Sequence, residues 1–165
     1  MDLKRLFRHL AMTPWQLNRA FPTDSLAAIE HAVAVGEATH GGDVRFAVEG
    51  SLPLAHLLRG QSARERAIEV FSQLRVWDTE HNSGVLIYLL LADRDVEIVA
   101  DRGIHAKVGE GEWERICRRM EADFREGRYE AAVVAGIEAV SRHLASHYPK
   151  DGLRTGELPD RPVLL

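Results

Sequence analysis

Oxygen-bearing side chains gather where the predicted strands of this chain begin and end. Glu37 and Asp43 precede one strand, Asp78, Thr79 and Asn82 precede a second, and Asp101 follows a third. Carboxylates and amide oxygens at loop ends are the ligands that hard cations such as calcium and magnesium take. Asp and Asn are equally at home in turns and helix caps, and no EF-hand loop is present. Spacing alone therefore leaves both readings open.

Other constellations are weaker. Asp93-Arg94-Asp95 follows an apolar run and resembles a phosphatase nucleophile motif of the haloacid-dehalogenase type, which needs two aspartates and a magnesium ion. Here Val96 to Ala100 reads at once as another strand, and Glu97 stands where that motif has a hydroxyl, so a hairpin turn explains the residues better. His143 and His147 stand four apart at a helix end, without the glutamate of an HExxH zinc motif between them. A solvated surface accounts for them. His81 and His105 flank the acidic end of the strands and have the chemistry of acid/base groups. Cys117 falls on the apolar stripe of a helix and reads as core.

These residues are positioned by the stretch from Asn82 to Ile104. Val85 to Ala92 is an unbroken apolar run, suited to a strand covered on both faces. Asp93 to Asp95 interrupts it, and Val96, Ile98 and Ala100 resume, so the chain folds back as a hairpin. An antiparallel hairpin of this length, at about 3.3 Å per residue, holds Asp93 and Asp95 roughly 25 Å from Asn82 and Asp101.

Upstream, Asp43 to Glu49 alternates as a strand and Ser62 opens a helix with Ala67, Ile68, Phe71 and Leu74 inward. Strand, helix, strand is a crossover unit, so its two strands are predicted to be parallel. That puts the start of the first strand at the same edge as Asn82. Helical stripes run through Leu26, Ile29 and Val33 behind a Thr23 cap, through Trp113 to Phe124, and through Tyr129 to Leu144. The predicted fold class is α/β: a three-layer αβα sandwich with a small mixed sheet, a strand-helix-strand crossover followed by a β-hairpin. Residues 1–21 form an amphipathic helical extension, 22–149 the domain, and 150–165 a flexible, proline- and glycine-containing tail. The segment from Gly50 to Gly60 resists placement.

At 165 residues and 45% hydrophobic, the chain can bury one core. A net charge of -4 gives no general attraction for nucleic acid. A single cysteine rules out an intrachain disulfide and a thiolate metal cluster. No apolar run is long enough to cross a bilayer and no secretory leader is recognisable, so a cytoplasmic location is the default expectation. Lys4, Arg5 and Arg8 beside Leu3, Leu6, Phe7 and Leu10 make a basic amphipathic segment. Such a segment either packs on its own domain or lies at a membrane surface, here the inner membrane.

Several motifs in order resemble one family, the TPM-domain proteins. Thr39-His40-Gly41-Gly42-Asp43-Val44-Arg45 is similar to their TGGEI-type first strand, and Trp77-Asp78-Thr79 to Leu86 to their T-x-x-N-G-V-L-I segment. Asp93-Arg94 looks like their DR pair, and Asp101-Arg102-Gly103-Ile104 like their G-D-x-G-I. The likeness spans roughly residues 23 to 149. It departs at Asp43, where Glu is usual, at Ala100, where the motif has Gly, and at Ser83, inserted between Asn82 and Gly84.

The resemblance implies an αβα sandwich and a divalent-cation site, calcium with magnesium as the second choice, built from acidic loop ends. On this chain the ligands would be Asp101, Asp78, Asn82 and Glu37. It further implies an accessory or interaction module of bacterial type, non-catalytic or weakly catalytic, with a membrane protein of the LemA type as partner. The alternative it carries, from plant members, is a metal-dependent acid phosphatase acting on phosphomonoesters.

Overall fold

The apolar run that dominates the sequence is the second strand from one edge of a four-stranded sheet. The computed structural model describes residues 2–152 and 156–165. In chain order its elements are α1 (Leu3–Ala11), α2 (Pro14–Ala20), α3 (Thr23–Glu37), β1 (Asp43–Glu49), α4 (Leu54–Leu58), α5 (Ala63–Gln73), β2 (Gly84–Leu90), β3 (Asp95–Ala100), α6 (Arg102–Val108), α7 (Glu110–Arg125), α8 (Tyr129–His147) and β4 (Val163–Leu164). The strand order is β3-β2-β1-β4.

β1 and β2 run parallel, with Asp43 opposite Gly84 and Glu49 opposite Leu90, as a crossover through α5 requires. β2 and β3 are antiparallel, from Val85 opposite Ala100 to Leu90 opposite Asp95. Arg94, at φ 52, turns the chain between them. The mixed α/β sandwich and the hairpin are thus as expected.

Every residue of β1 and β2 is buried, because helices cover both faces. On one face Val44, Phe46, Val48, Val85, Ile87 and Leu89 pack with Ile29 and Val33 of α3, Trp113 to Phe124 of α7 and Val133 to Leu144 of α8. On the other, Ala47, Leu86, Tyr88 and Leu90 meet Leu57 of α4 and Ala63, Ala67 and Val70 of α5. The polar residues alternating along β1 are not solvated. Arg66 clamps Glu49 at 2.9 Å and the Tyr88 hydroxyl donates to the same carboxylate at 2.7 Å.

Three details differ from the sequence reading. Thr23 begins α3 as its first helical residue, and the cap position is Pro22, with no side-chain hydrogen bond. Leu54–Leu58 and Arg102–Val108 are short helices that periodicity could not show.

The third difference concerns the flexible tail. Its residues 153–155 lie outside the described residues, but 156–165 are docked. Val163 and Leu164 add a parallel strand beside Ala47 and Val48. Arg45 donates to the Pro159 carbonyl, and the Glu157 and Leu158 amides donate to Asp43 Oδ1 at 2.7 and 3.0 Å. The open edge of β1 supplied unpaired backbone groups, and the tail supplies their partners.

Candidate metal centre

Register fixes which loop ends meet. Asp43 pairs with Gly84, and the Asp101 amide donates to the Gly84 carbonyl at 2.9 Å. Asp43, Gly84 and Asp101 therefore stand in a row across three strands at one rim, with Asp43 and Asp101 two strand spacings, roughly 10 Å, apart. Asp93 and Asp95 stand at the opposite end.

Asp101 caps α6. Its Oδ1 accepts from the Arg102 amide, the first of the helix, at 2.7 Å, whereas a capping side chain ordinarily reaches the second or third amide. Its Oδ2 is buried and has no hydrogen-bond partner among the described residues. A buried carboxylate oxygen left unsatisfied costs about 1–3 kcal/mol, so capping accounts for only half of this side chain.

Oxygen atoms also crowd Gly103, two residues further on. A Cβ added at Gly103 would lie 2.6 Å from the Asn82 carbonyl, 2.7 Å from the His81 carbonyl and 2.8 Å from the Tyr148 hydroxyl. Asn82 adopts the left-handed region, φ 51, and its carbonyl accepts from the Ile104 amide at 3.2 Å. That turn presents two consecutive carbonyls to the start of α6. Lys107 sits over the Tyr148 ring at 4.2 Å and closes the flank.

The predicted ligands divide. Asn82 and Asp101 are brought together through the Asn82-Ile104 hydrogen bond. Asp78 is drawn outward, with its side chain 52% exposed and bound by Arg75 at 2.7 Å. Glu37 reaches the rim on the β1 side, where its Oε1 accepts from the Val44 amide at 3.0 Å. It lines a separate hollow with Lys150, Leu158 and Asp160. Burial, with Asp160 and Asp43 nearby, pushes the Glu37 carboxyl up to about 8. Among the described residues, no group of three or more His, Cys, Asp and Glu side chains is close enough to hold a metal ion.

The oxygens at this rim are different in kind from the four side chains expected as ligands. They combine one free carboxylate oxygen with backbone carbonyls and a phenol, a chemistry calcium accepts and zinc does not. Sequence reasoning missed Tyr148 and Asp160, and it noted His81 for its ring, not its carbonyl. Backbone carbonyls carry no residue-type signal, and Tyr148 and Asp160 reach the rim only through the ends of α8 and of the tail.

The remaining candidates are occupied structurally. Asp93 is held by Arg5 and Arg8, each at 2.8 Å, and lies 3.1 Å from His9. Burial alone would raise its carboxyl, but hydrogen bonds from Arg8, Arg5 and His9 keep it below the ordinary range. His143 pairs with Glu112 at 2.9 Å, and burial pushes the Cys117 thiol up to about 12, unlike a nucleophile. His40, buried, is lowered to about 4 and accepts from the Gly42 amide.

A family model described as TPM domain matches residues 18–143. The chain belongs to the TPM-domain family. Among solved structures it is similar to the BA42 protein of the psychrophilic bacterium Bizionia argentinensis, at 26% identity and TM-score 0.77, covering 88% of this chain and 95% of that one. An N-terminal domain from P. gingivalis overlaps at 20% identity and TM-score 0.48, over 64% of this chain and 87% of that one. No curated protein matched the chain. The family match begins at residue 18, so α1 lies outside it.

Proposed function

We propose that this chain is a divalent-cation-binding accessory module of the TPM type, taking calcium in preference to magnesium at the rim beside Asp101. The reading is supported by the buried Asp101 Oδ2, which has no hydrogen-bond partner among the described residues, two positions before Gly103, against which the Asn82 and His81 carbonyls and the Tyr148 hydroxyl pack. Asp101 and the Asn82 and His81 carbonyls would hold the ion, with water completing the shell. Calcium tolerates such irregular, carbonyl-rich sets better than magnesium, whose octahedron is smaller and stricter. The raised Glu37 stands one strand further along the rim and contributes negative charge once ionised. A membrane protein of the LemA type remains the partner class that family likeness suggests.

A metal-dependent acid phosphatase is the second reading. Exposed Arg102, which follows Asp101 in the chain, favours it, since a guanidinium at a metal site suits a phosphomonoester.

Thermal unfolding with calcium, magnesium and EDTA tests the first reading, because a ligand that binds only the folded state raises the melting temperature. Calcium is expected to stabilise the wild type and to have no effect on Asp101→Asn. No shift at roughly millimolar calcium counts against the site. Hydrolysis of para-nitrophenyl phosphate that disappears in Asp101→Asn would favour the phosphatase; hydrolysis that persists there is contamination.

A further inference from the structure

The N-terminal helix is docked the wrong way round for an ordinary surface helix. Arg5, Arg8 and His9 of α1 point at the β2–β3 turn, where all three approach the Asp93 carboxylate. The Leu52 amide donates to His9 Nδ1 at 3.0 Å, which leaves the histidine proton on Nε2, facing Asp93. Leu6 alone of the apolar residues packs inward, against the α5 side of the sheet. Leu3, Phe7 and Leu10, at i, i+4 and i+7, form one stripe on the opposite face. They are 60%, 71% and 62% exposed.

Single exposed leucines are unremarkable. Three on one stripe of a nine-residue helix, whose polar face is spent on an internal ion pair, are not.

Charge selects what covers that stripe. Trp15, 65% exposed and stacked by Arg19 at 5.3 Å, lines an open hollow of about 940 Å³ together with Arg8, Arg19 and Arg94. Lys4, Arg19 and Arg94 are exposed and make no ion pair among the described residues. The stripe belongs to α1, and Arg8 and Ala11 of the same helix line the hollow that holds Trp15, Arg19 and Arg94. Apolar groups, arginines and a tryptophan together match the water-lipid boundary, where apolar groups enter and cations meet phosphates. Among the described residues no helix is long and apolar enough to cross a membrane.

We propose that α1 and α2 form a docking face for an anionic lipid bilayer, with Leu3, Phe7, Leu10 and Trp15 entering the interface and Lys4, Arg19 and Arg94 over lipid phosphates. The proposal is independent of the cation site. Its test is therefore run in EDTA, by sedimentation with vesicles of equal parts phosphatidylcholine and phosphatidylglycerol, and with phosphatidylcholine alone.

The wild type is expected to sediment with the anionic vesicles, less so as salt rises. A variant with Leu3→Ser, Phe7→Ser and Leu10→Ser is expected to lose at least about tenfold in partitioning, and Arg94→Gln about fivefold. All four positions are exposed, so the variants retain the fold, checked by circular dichroism. Failure to sediment, or equal sedimentation of the triple variant, overturns the proposal. So does a wild-type dimer in analytical ultracentrifugation that the triple variant dissolves without any lipid binding; the stripe would then belong to a second copy.

Discussion

The two ends of the sheet both carry aspartates, and they use them in opposite ways. At the turn end, Asp93 is 10% exposed and is met by two arginines and a histidine, so protein cations neutralise it. At the rim end, Asp101 has one oxygen spent on the α6 cap and one buried with no partner among the described residues. A carboxylate supplied with cations by its own chain is structural. A buried carboxylate oxygen without a partner among the described residues is the kind of group that calls for a further explanation, and a ligand is the one proposed. The difference is one of partners, and residue type does not reveal it.

Removing the structural aspartate gives the largest expected effect. Asp93→Ala leaves Arg5, Arg8 and His9 facing each other, and is expected to cost about 3 kcal/mol and to release α1. Chemical denaturation together with proteolysis of the first twenty or so residues reads both. Because the Asp93 carboxyl is held below its ordinary value, this contribution is present at neutral pH and fades as pH falls through the folded pKa.

At the rim, Asp101→Asn is expected to cancel calcium-dependent stabilisation, which is about 2.7 kcal/mol at a hundredfold excess over Kd. Its effect without calcium is expected to be smaller, since an amide oxygen still caps α6. A calcium response equal to the wild type's would show that the free oxygen is not the ligand.

Asp95 sharpens the contrast within the turn end. Burial first, then Glu97, Glu121 and Asp93, push it up to about 6 from 3.8. A raised acid binds its proton more tightly when folded, so stability is full below about pH 4 and declines as pH rises towards 6. Asp95→Asn removes that decline. It is expected to stabilise the protein by about 1–2 kcal/mol at neutral pH and very little at low pH. A wild type that gains stability relative to Asp95→Asn between these limits would contradict it.

The smallest effect belongs to Asp78, exposed and paired only with Arg75. Asp78→Asn is expected to change stability by less than about 0.5 kcal/mol and calcium affinity little. A large loss of calcium binding would return Asp78 to the ligand set.

Much of the fold is legible in the sequence because it is local. Val85 to Ala92 can only be a covered strand, and Asp93-Arg94-Asp95 can only turn it back; once that hairpin and the crossover are placed, the two ends follow from register. β4 is not legible, since Val163–Leu164 is a two-residue strand whose pairing lies more than a hundred residues away, among prolines. The site is half legible for the same reason. Asp101 and Asn82 flank the hairpin and meet through it. Glu37 reaches the rim, but of the acids beside it only Asp43, at the start of β1, is near in sequence; Asp160 comes from the tail. Periodicity marks the apolar face of α1 without saying which face docks; the answer lies in Asp93, eighty-odd residues downstream.

A calcium titration followed through backbone amide NMR tests the central claim most directly. The account predicts saturable shifts at Asn82 and at Asp101 to Ile104, stationary signals at Asp93 and Asp95, and no saturable shift in Asp101→Asn. Shifts centred on the turn end, or none at roughly millimolar calcium, would contradict it.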